Sequence, residues 1–214
     1  MIRVITNYDF IHSTFLPLTH HPIPSINMQN LLQIISTRAY VSVPLKEVVQ
    51  SCFKLVETQK GDKILLENNR ASHLYFIEKG VLHNYYFHNG KQITSWFYTE
   101  NQFVTAWSSF YAQKPSFEEV ECLEDCVLYR ISYSDYQKLI ADFPAFGNFA
   151  RLLAEEMVAF LDEFSKGWSF LSAIEKYQLL KHSFPQLELR VKLGLIASFL
   201  GVTQETLSRI RAQK

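Results

Sequence analysis

The chain has 214 residues, enough for one large domain or two small ones with a real core. Apolar residues at 48% and charged residues at 20% exclude a disordered chain, and 14% aromatics favour a substantial β component. Net charge is zero, so the whole chain lacks the basic excess of a nucleic-acid binder. The charge is unevenly placed, however. From Lys181 onward, Lys181, Arg190, Lys192, Arg209, Arg211 and Lys214 stand against only Glu188 and Glu205, a basic end on an acidic body.

Residues 1–27 carry Pro17, Pro22 and Pro24, which exclude a continuous helix and read as a loosely attached extension. Met28, a candidate natural start, opens the amphipathic run Leu31, Leu32, Ile34, Ile35, a short helix. From Pro44 to Ile131 the texture is short strands joined by turns. Lys60-Gly61-Asp62 is a turn before the strand Lys63 to Leu66, and Glu67 to Arg70 is another. His73 to Ile77 is a strand ending at Glu78-Lys79-Gly80. Val81 to His88 and Gln92 to Tyr98 flank Asn89-Gly90, the strongest hairpin signal because both residues tolerate positive φ. Val120 to Leu123 and Val127 to Ile131 flank Glu124-Asp125. Strands at this spacing predict a jelly roll or barrel.

At Ser132 the periodicity turns helical. Ser134 is read as the cap of a helix through Ile140, stopped by Asp142-Phe143-Pro144. A long helix follows over about 145–165. Its apolar residues fill an arc of roughly 180°, against the ~100° that covering one core requires. The surplus predicts a second contact, and a symmetric partner is the economical one. Phe149, Leu153, Met157, Phe160, Leu161 and Phe164 are the candidate dimer interface; the alternative is one deeply buried helix in a monomer. Ser172 to Glu175 is a capping box for a helix to about His182, with Pro185 as a stop. The C-terminal module therefore starts near residue 167, with Gly167 as hinge and with a core separate from that of the strand region.

The last residues carry the clearest chemistry. Lys192 to Leu200 reads as a short helix, Gly201 as its left-handed cap, and Thr203 as the cap of a second helix from Gln204 to about Gln213. Ala197 permits close approach, and Ile196, Leu200, Leu207 and Ile210 supply a shared core, which is the layout of a helix-turn-helix. Gln204, Glu205, Ser208 and Arg209 lie on the exposed side, suited to base edges: arginine to guanine, glutamate to the cytosine amino group. Thr203, Thr206 and Arg211 are better placed for phosphate. A plain helical hairpin is the bland alternative.

Over residues 28 to 214 these features resemble the Crp/Fnr family of bacterial transcription regulators. The resemblance rests on Lys60-Gly61-Asp62, Tyr75 to Gly80, Asn101-Gln102-Phe103, the long helix, and Leu200 to Ile210. It implies an α+β fold: an N-terminal jelly-roll or β-roll sensor domain (28–144), a long central dimerisation helix (145–166), and a C-terminal winged-helix-like helix-turn-helix with truncated wing (167–214). It implies a cytoplasmic homodimer on a palindromic double-stranded operator, no enzyme activity and no membrane, with room for a small-molecule effector and RNA polymerase as partners. Glu205, Ser208 and Arg209 match the Fnr-branch pattern, for which the half-site would be close to TTGAT. Gln204 replaces the arginine of the cyclic-AMP-responsive branch.

The chain departs from the family in its sensor. Phe103-Val104 is followed by Thr105-Ala106 where the cyclic-nucleotide cassette has Gly-Glu, and Ser116-Phe117 stands where Arg-Ser/Thr is expected. The ribose-binding glutamate and the phosphate-binding arginine are both missing, so cyclic AMP is not expected to bind, and charge-assisted phosphate recognition is lost. A cyclic-nucleotide receptor remains the runner-up. Trp96, Phe97, Phe103, Trp107, Phe110, Ser116 and Phe117 form a candidate effector pocket, with β-roll core the favoured alternative for its aromatic members. Any wing contact to phosphate must come from the 186–191 segment or be missing. Cys52, Cys122 and Cys126 are too few for a disulfide framework, a zinc site or a four-cysteine cluster. His73, His83 and His88 lack the spacing of a cupin-type metalloenzyme, so neither metal nor cofactor is expected.

Overall fold

A computed structural model describes residues 28–212. The readings of residues 1–27 and of Lys214 lie outside the described residues. Helix α1 (Gln29–Ser36) is the expected amphipathic one, with Leu31, Ile34 and Ile35 buried. Helix α2 (Val43–Cys52) corrects the strand-like reading of its segment. Ser42 caps it by accepting from the Leu45 N–H, and Pro44 sits in its first turn, where no N–H is needed.

Eight strands follow: β1 (Lys54–Thr58), β2 (Lys63–Leu65), β3 (His73–Lys79), β4 (Leu82–His88), β5 (Lys91–Tyr98), β6 (Phe103–Val104), β7 (Glu119–Cys122) and β8 (Cys126–Ser132), with the short helix α3 (Trp107–Ala112) between β6 and β7. They make two antiparallel four-stranded sheets, ordered β1-β8-β3-β6 and β2-β7-β4-β5, the expected β-roll. Asn89 and Gly90 have φ of 50° and 74°, as the β4–β5 turn requires. At Gly80 a side chain is excluded, since an added Cβ would lie 2.3 Å from Cys126 Sγ.

Ser132, not Ser134, caps α4 (Tyr133–Asp142), its hydroxyl accepting from the Asp135 N–H. Helix α5 runs Pro144–Trp168, longer than expected, and Gly167 is buried inside it, so it is not a hinge. The chain leaves the helix at Ser169, and the Ser172–Glu175 capping box then starts α6 (Ala173–Ser183) as expected. One turn, α7 (Leu187–Arg190), occupies the segment considered for a wing. Among the described residues no strand follows β8. Helices α8 (Leu193–Leu200) and α9 (Gln204–Ala212) complete the fold.

One core joins α1, α2, α3, α4 and the first half of α5 to β3 and β8. A second fills the roll between the sheets around Leu82, Val104, Val120 and Leu128. The third corrects the expectation of separate cores: Val81, Phe97 and Leu123 of the roll are buried together with Leu180, Phe184, Ile196, Phe199, Leu200 and Leu207 of the C-terminal helices.

Candidate nucleic-acid interface and roll interior

Gly201 ends α8 at φ 71°, a left-handed conformation open to glycine without strain. The turn swings α9 across α8, and Ile196, Ala197, Leu200, Leu207 and Ile210 are all buried, the shared core read from the sequence. Thr203 accepts from the Thr206 N–H at 3.2 Å and its hydroxyl meets that of Thr206 at 3.1 Å, fixing the first turn of α9. With Leu207 and Ile210 turned inward, Thr203, Gln204, Glu205, Ser208 and Arg209 are exposed on the outer face; Thr206 is half-buried. The Glu205 carboxyl is held below the usual range by its own backbone N–H, by the Thr203 hydroxyl and by Arg209 one turn on. Arg211 is exposed but engaged: its Nε lies 3.0 Å from Glu188, which also accepts from the Tyr177 hydroxyl at 2.8 Å. A phosphate would have to compete for it.

Behind this surface, the module is held to the roll by contacts that no local sequence signal announces. Ser198 of α8 donates to the Gln92 carbonyl at 3.0 Å and accepts from the Thr94 N–H at 3.1 Å, so a side chain stands in as a partner on β5, an edge strand of its sheet. Arg190 bridges Glu100 and Glu124, with its Nη2 2.6 Å from Glu100. Both acids lie at turns of the roll, and the pairing holds the Glu100 carboxyl below its usual range against the opposing effect of burial. Trp96 packs edge-on against Phe160, Phe164, Phe184 and Phe199.

The aromatic residues considered for an effector pocket are therefore dispersed. Trp96 and Phe97 face the C-terminal helices, and Phe97 meets Phe199 at 5.5 Å. Phe103 and Phe110 are in the core that joins α1, α2, α4 and α5 to the roll, with Trp107 packed against it. Phe117 is 60% exposed. Ser116 is buried and donates to the Glu118 carbonyl. Inside the roll, Asn84 donates to the Thr105 carbonyl and to the Glu118 carboxylate, both at 3.3 Å, and Ser95 donates to Glu118 at 2.8 Å. Burial raises the Glu118 carboxyl's pKa. A cleft of about 250 Å³ opens instead between β2 and β3, lined among others by Lys63, Arg70, His73, Tyr75 and Thr105, and by none of the seven residues considered for the pocket.

The proposed dimer residues divide in the same way. Phe149 packs on Phe103 at 5.7 Å and Phe160 on Trp96 at 5.0 Å; Leu153 is buried and Phe164 also meets Trp96. Most of the wide apolar arc of α5 is thus covered within the chain, in its first half by the core it shares with α1 to α4 and then by Trp96 and the C-terminal helices. Met157 is half-buried. Leu161 is 49% exposed, and Val158, which was not among the candidates, is 67% exposed. Of the three histidines, His83 is fully buried beside Thr94, with Nε2 3.6 Å from Glu121, and His88 is exposed near Asn89. Among the described residues no three His, Cys, Asp or Glu groups gather as a metal site, and no helix is long and apolar enough to cross a membrane.

Residues 55–143 match the family model of the cyclic nucleotide-binding domain. No protein of curated function matches the chain's sequence. Several solved structures share its fold, among them the following three. FixK2 from Bradyrhizobium japonicum has a TM-score of 0.64 at 17% identity, over 75% of this chain and 83% of that one. A CooA variant from Carboxydothermus hydrogenoformans has 0.62 at 17% identity, over 89% and 85%. A protein from Eubacterium rectale, described as a transcriptional regulator of the Crp/Fnr family, has 0.62 at 17% identity, over 79% and 81%. At these identities the likeness is one of fold.

Proposed function

We propose that this chain, which carries a cyclic nucleotide-binding domain on a fold shared with Crp/Fnr-type regulators, is a sequence-specific, homodimeric DNA-binding transcriptional regulator. One observation carries the reading. Helix α9 buries Leu207 and Ile210 and leaves Gln204, Glu205, Ser208 and Arg209 together on an exposed face, behind a glycine turn that sets the angle of the helix pair. That is the side-chain chemistry of major-groove reading: a bidentate donor for guanine and an acceptor for the cytosine amino group, one turn apart. Thr203 and Arg211 flank it for phosphate, Arg211 after release from Glu188. Selection from random duplexes should enrich a palindrome with half-sites close to TTGAT. Recovery of no motif, with or without added effectors, would remove the function.

The dimer seam is assigned to the strip of α5 that the chain leaves uncovered. The exposed Val158 and Leu161, with half-buried Ala154 one turn before them, repeat at three- and four-residue intervals on one side of the helix, so a second copy can pack along it in a two-fold arrangement.

Cyclic AMP is not the effector in this reading. No arginine stands at position 116 to meet a cyclic phosphate, and two residues on, Glu118 places a half-buried carboxyl there, already satisfied by Ser95 and Asn84. An anion placed beside it would lack a charge-assisted partner. Calorimetric titration should show no saturable heat with cyclic AMP; a single micromolar site per chain would refute this part.

A further inference from the structure

The β7–β8 connection holds a chemistry that the DNA-binding reading does not use. Cys122 closes β7 in one sheet and Cys126 opens β8 in the other. The turn between them folds both side chains into the one buried cluster that fills the roll. Thr58, the register partner of Cys126, points its hydroxyl at Cys122 Sγ from 3.2 Å. The Cys126 thiol also lies 3.1 Å from the Glu124 carbonyl. Neither cysteine is bridged, and the third, Cys52, sits apart at the end of α2. Asp125 at the tip is exposed, so the pair lies one residue beneath the surface. The same turn grips the C-terminal module: Leu123 is buried among its helices, and Glu124 accepts from Arg190.

We propose that Cys122 and Cys126 are a disulfide-forming site for a hydroperoxide, and that closing the bond across the turn loosens the hold of Leu123 and Glu124 on the C-terminal helices. Cys122 is the attacking sulfur: the Thr58 hydroxyl, 3.2 Å from its Sγ, can donate to its thiolate, and together with the Cys126 thiol it holds the Cys122 pKa below the usual thiol value. The Cys122 thiolate attacks one peroxide oxygen; a sulfur–oxygen bond forms, the oxygen–oxygen bond breaks, and the departing hydroxide takes a proton to leave as water. Cys126 then gives up its proton and attacks the sulfenic sulfur; the sulfur–sulfur bond forms and a second water leaves. Two thiols are oxidised and one hydroperoxide is reduced. Small size suits hydrogen peroxide to a pair reached through opening of the turn. The thiol chemistry holds whether or not the protein binds DNA.

The test treats the purified full chain with hydrogen peroxide, alkylates it under denaturing conditions and maps the peptides by mass spectrometry. The expected result is loss of two hydrogens from the peptide spanning Cys122 and Cys126, with both thiols protected from alkylation until reductant is added. In Cys126→Ala the same treatment should leave Cys122 as a sulfenic acid trapped by dimedone. Amide exchange over α7 and α8 should quicken in the oxidised wild type and stay unchanged in treated Cys126→Ala. The disulfide assignment is overturned if Cys52 oxidises while Cys122 and Cys126 remain alkylatable, or if the wild type gives only a dimedone adduct. Unchanged exchange over α7 and α8 in the bridged protein overturns the loosening.

Discussion

Replacing Trp96 with alanine tests whether the roll and the C-terminal helices fold as one unit. The indole meets Phe160, Phe164, Phe199 and Phe184 at ring separations of 5.0, 5.2, 5.6 and 5.9 Å, all edge-on. Such pairs contribute roughly 0.5–1.5 kcal/mol each beyond the area they bury, but they share one ring and do not add. Truncating a buried tryptophan to alanine costs about 3–5 kcal/mol, and the half-buried state of Trp96 puts the loss near the lower end, about 3 kcal/mol. For a chain of this size that lowers the melting midpoint by roughly 6–12 °C. The larger consequence is a loss of cooperativity, because the four rings come from α5, from the residue after α6 and from α8. Trp107 lies in α3 on the roll and Trp168 packs at a tilt on Phe199 at 5.0 Å, so each half keeps a fluorescent reporter after the substitution. Thermal and urea melts followed by fluorescence and far-ultraviolet circular dichroism should coincide in the wild type and separate in Trp96→Ala, the C-terminal helices melting first. A single coincident transition at an unchanged midpoint would refute the shared-core argument.

Val158→Glu or Leu161→Glu should dissociate the dimer while the monomer stays folded, measured by sedimentation at micromolar concentration. Phe160→Glu should instead destabilise the monomer, because that ring is buried against Trp96. Arg209→Ala should cost about 1–3 kcal/mol in operator binding and relax one base position, whereas Arg211→Ala should weaken all sequences alike and shallow the salt dependence. His83 is buried, and desolvation lowers its pKa from 6.5 to about 4. The unfolded chain takes up its proton first, so the stability held above pH 6.5 declines as pH falls toward 4, by about 3 kcal/mol at most. His83→Gln should flatten that part of the stability profile in urea titrations, and an unchanged slope would assign the acid sensitivity to other groups.

Sequence alone determined the features whose cause lies within a few residues. Asn89-Gly90 dictates its hairpin because both backbones accept positive φ, Ser172 and Glu175 satisfy each other's free N–H groups, and Gly201 with the spacing of Leu200, Leu207 and Ile210 specifies the helix pair and its outward polar face. The helix at Val43–Cys52 was hidden because Pro44 reads as a breaker unless the Ser42 cap before it is recognised. Only the tertiary structure decided what the apolar surfaces face. The arc of α5 was legible, but Phe149, Phe160 and Phe164 turn to their own chain and leave Val158 and Leu161 outside, since hydrophobic attraction is non-directional and names no partner. Trp96 and Phe97 belong to the helices that return to them, and Arg190 finds Glu100 and Glu124 at separations of 90 and 66 residues. Pairings of that range follow from where the chain comes back in space, which short-range backbone preference and residue periodicity do not encode.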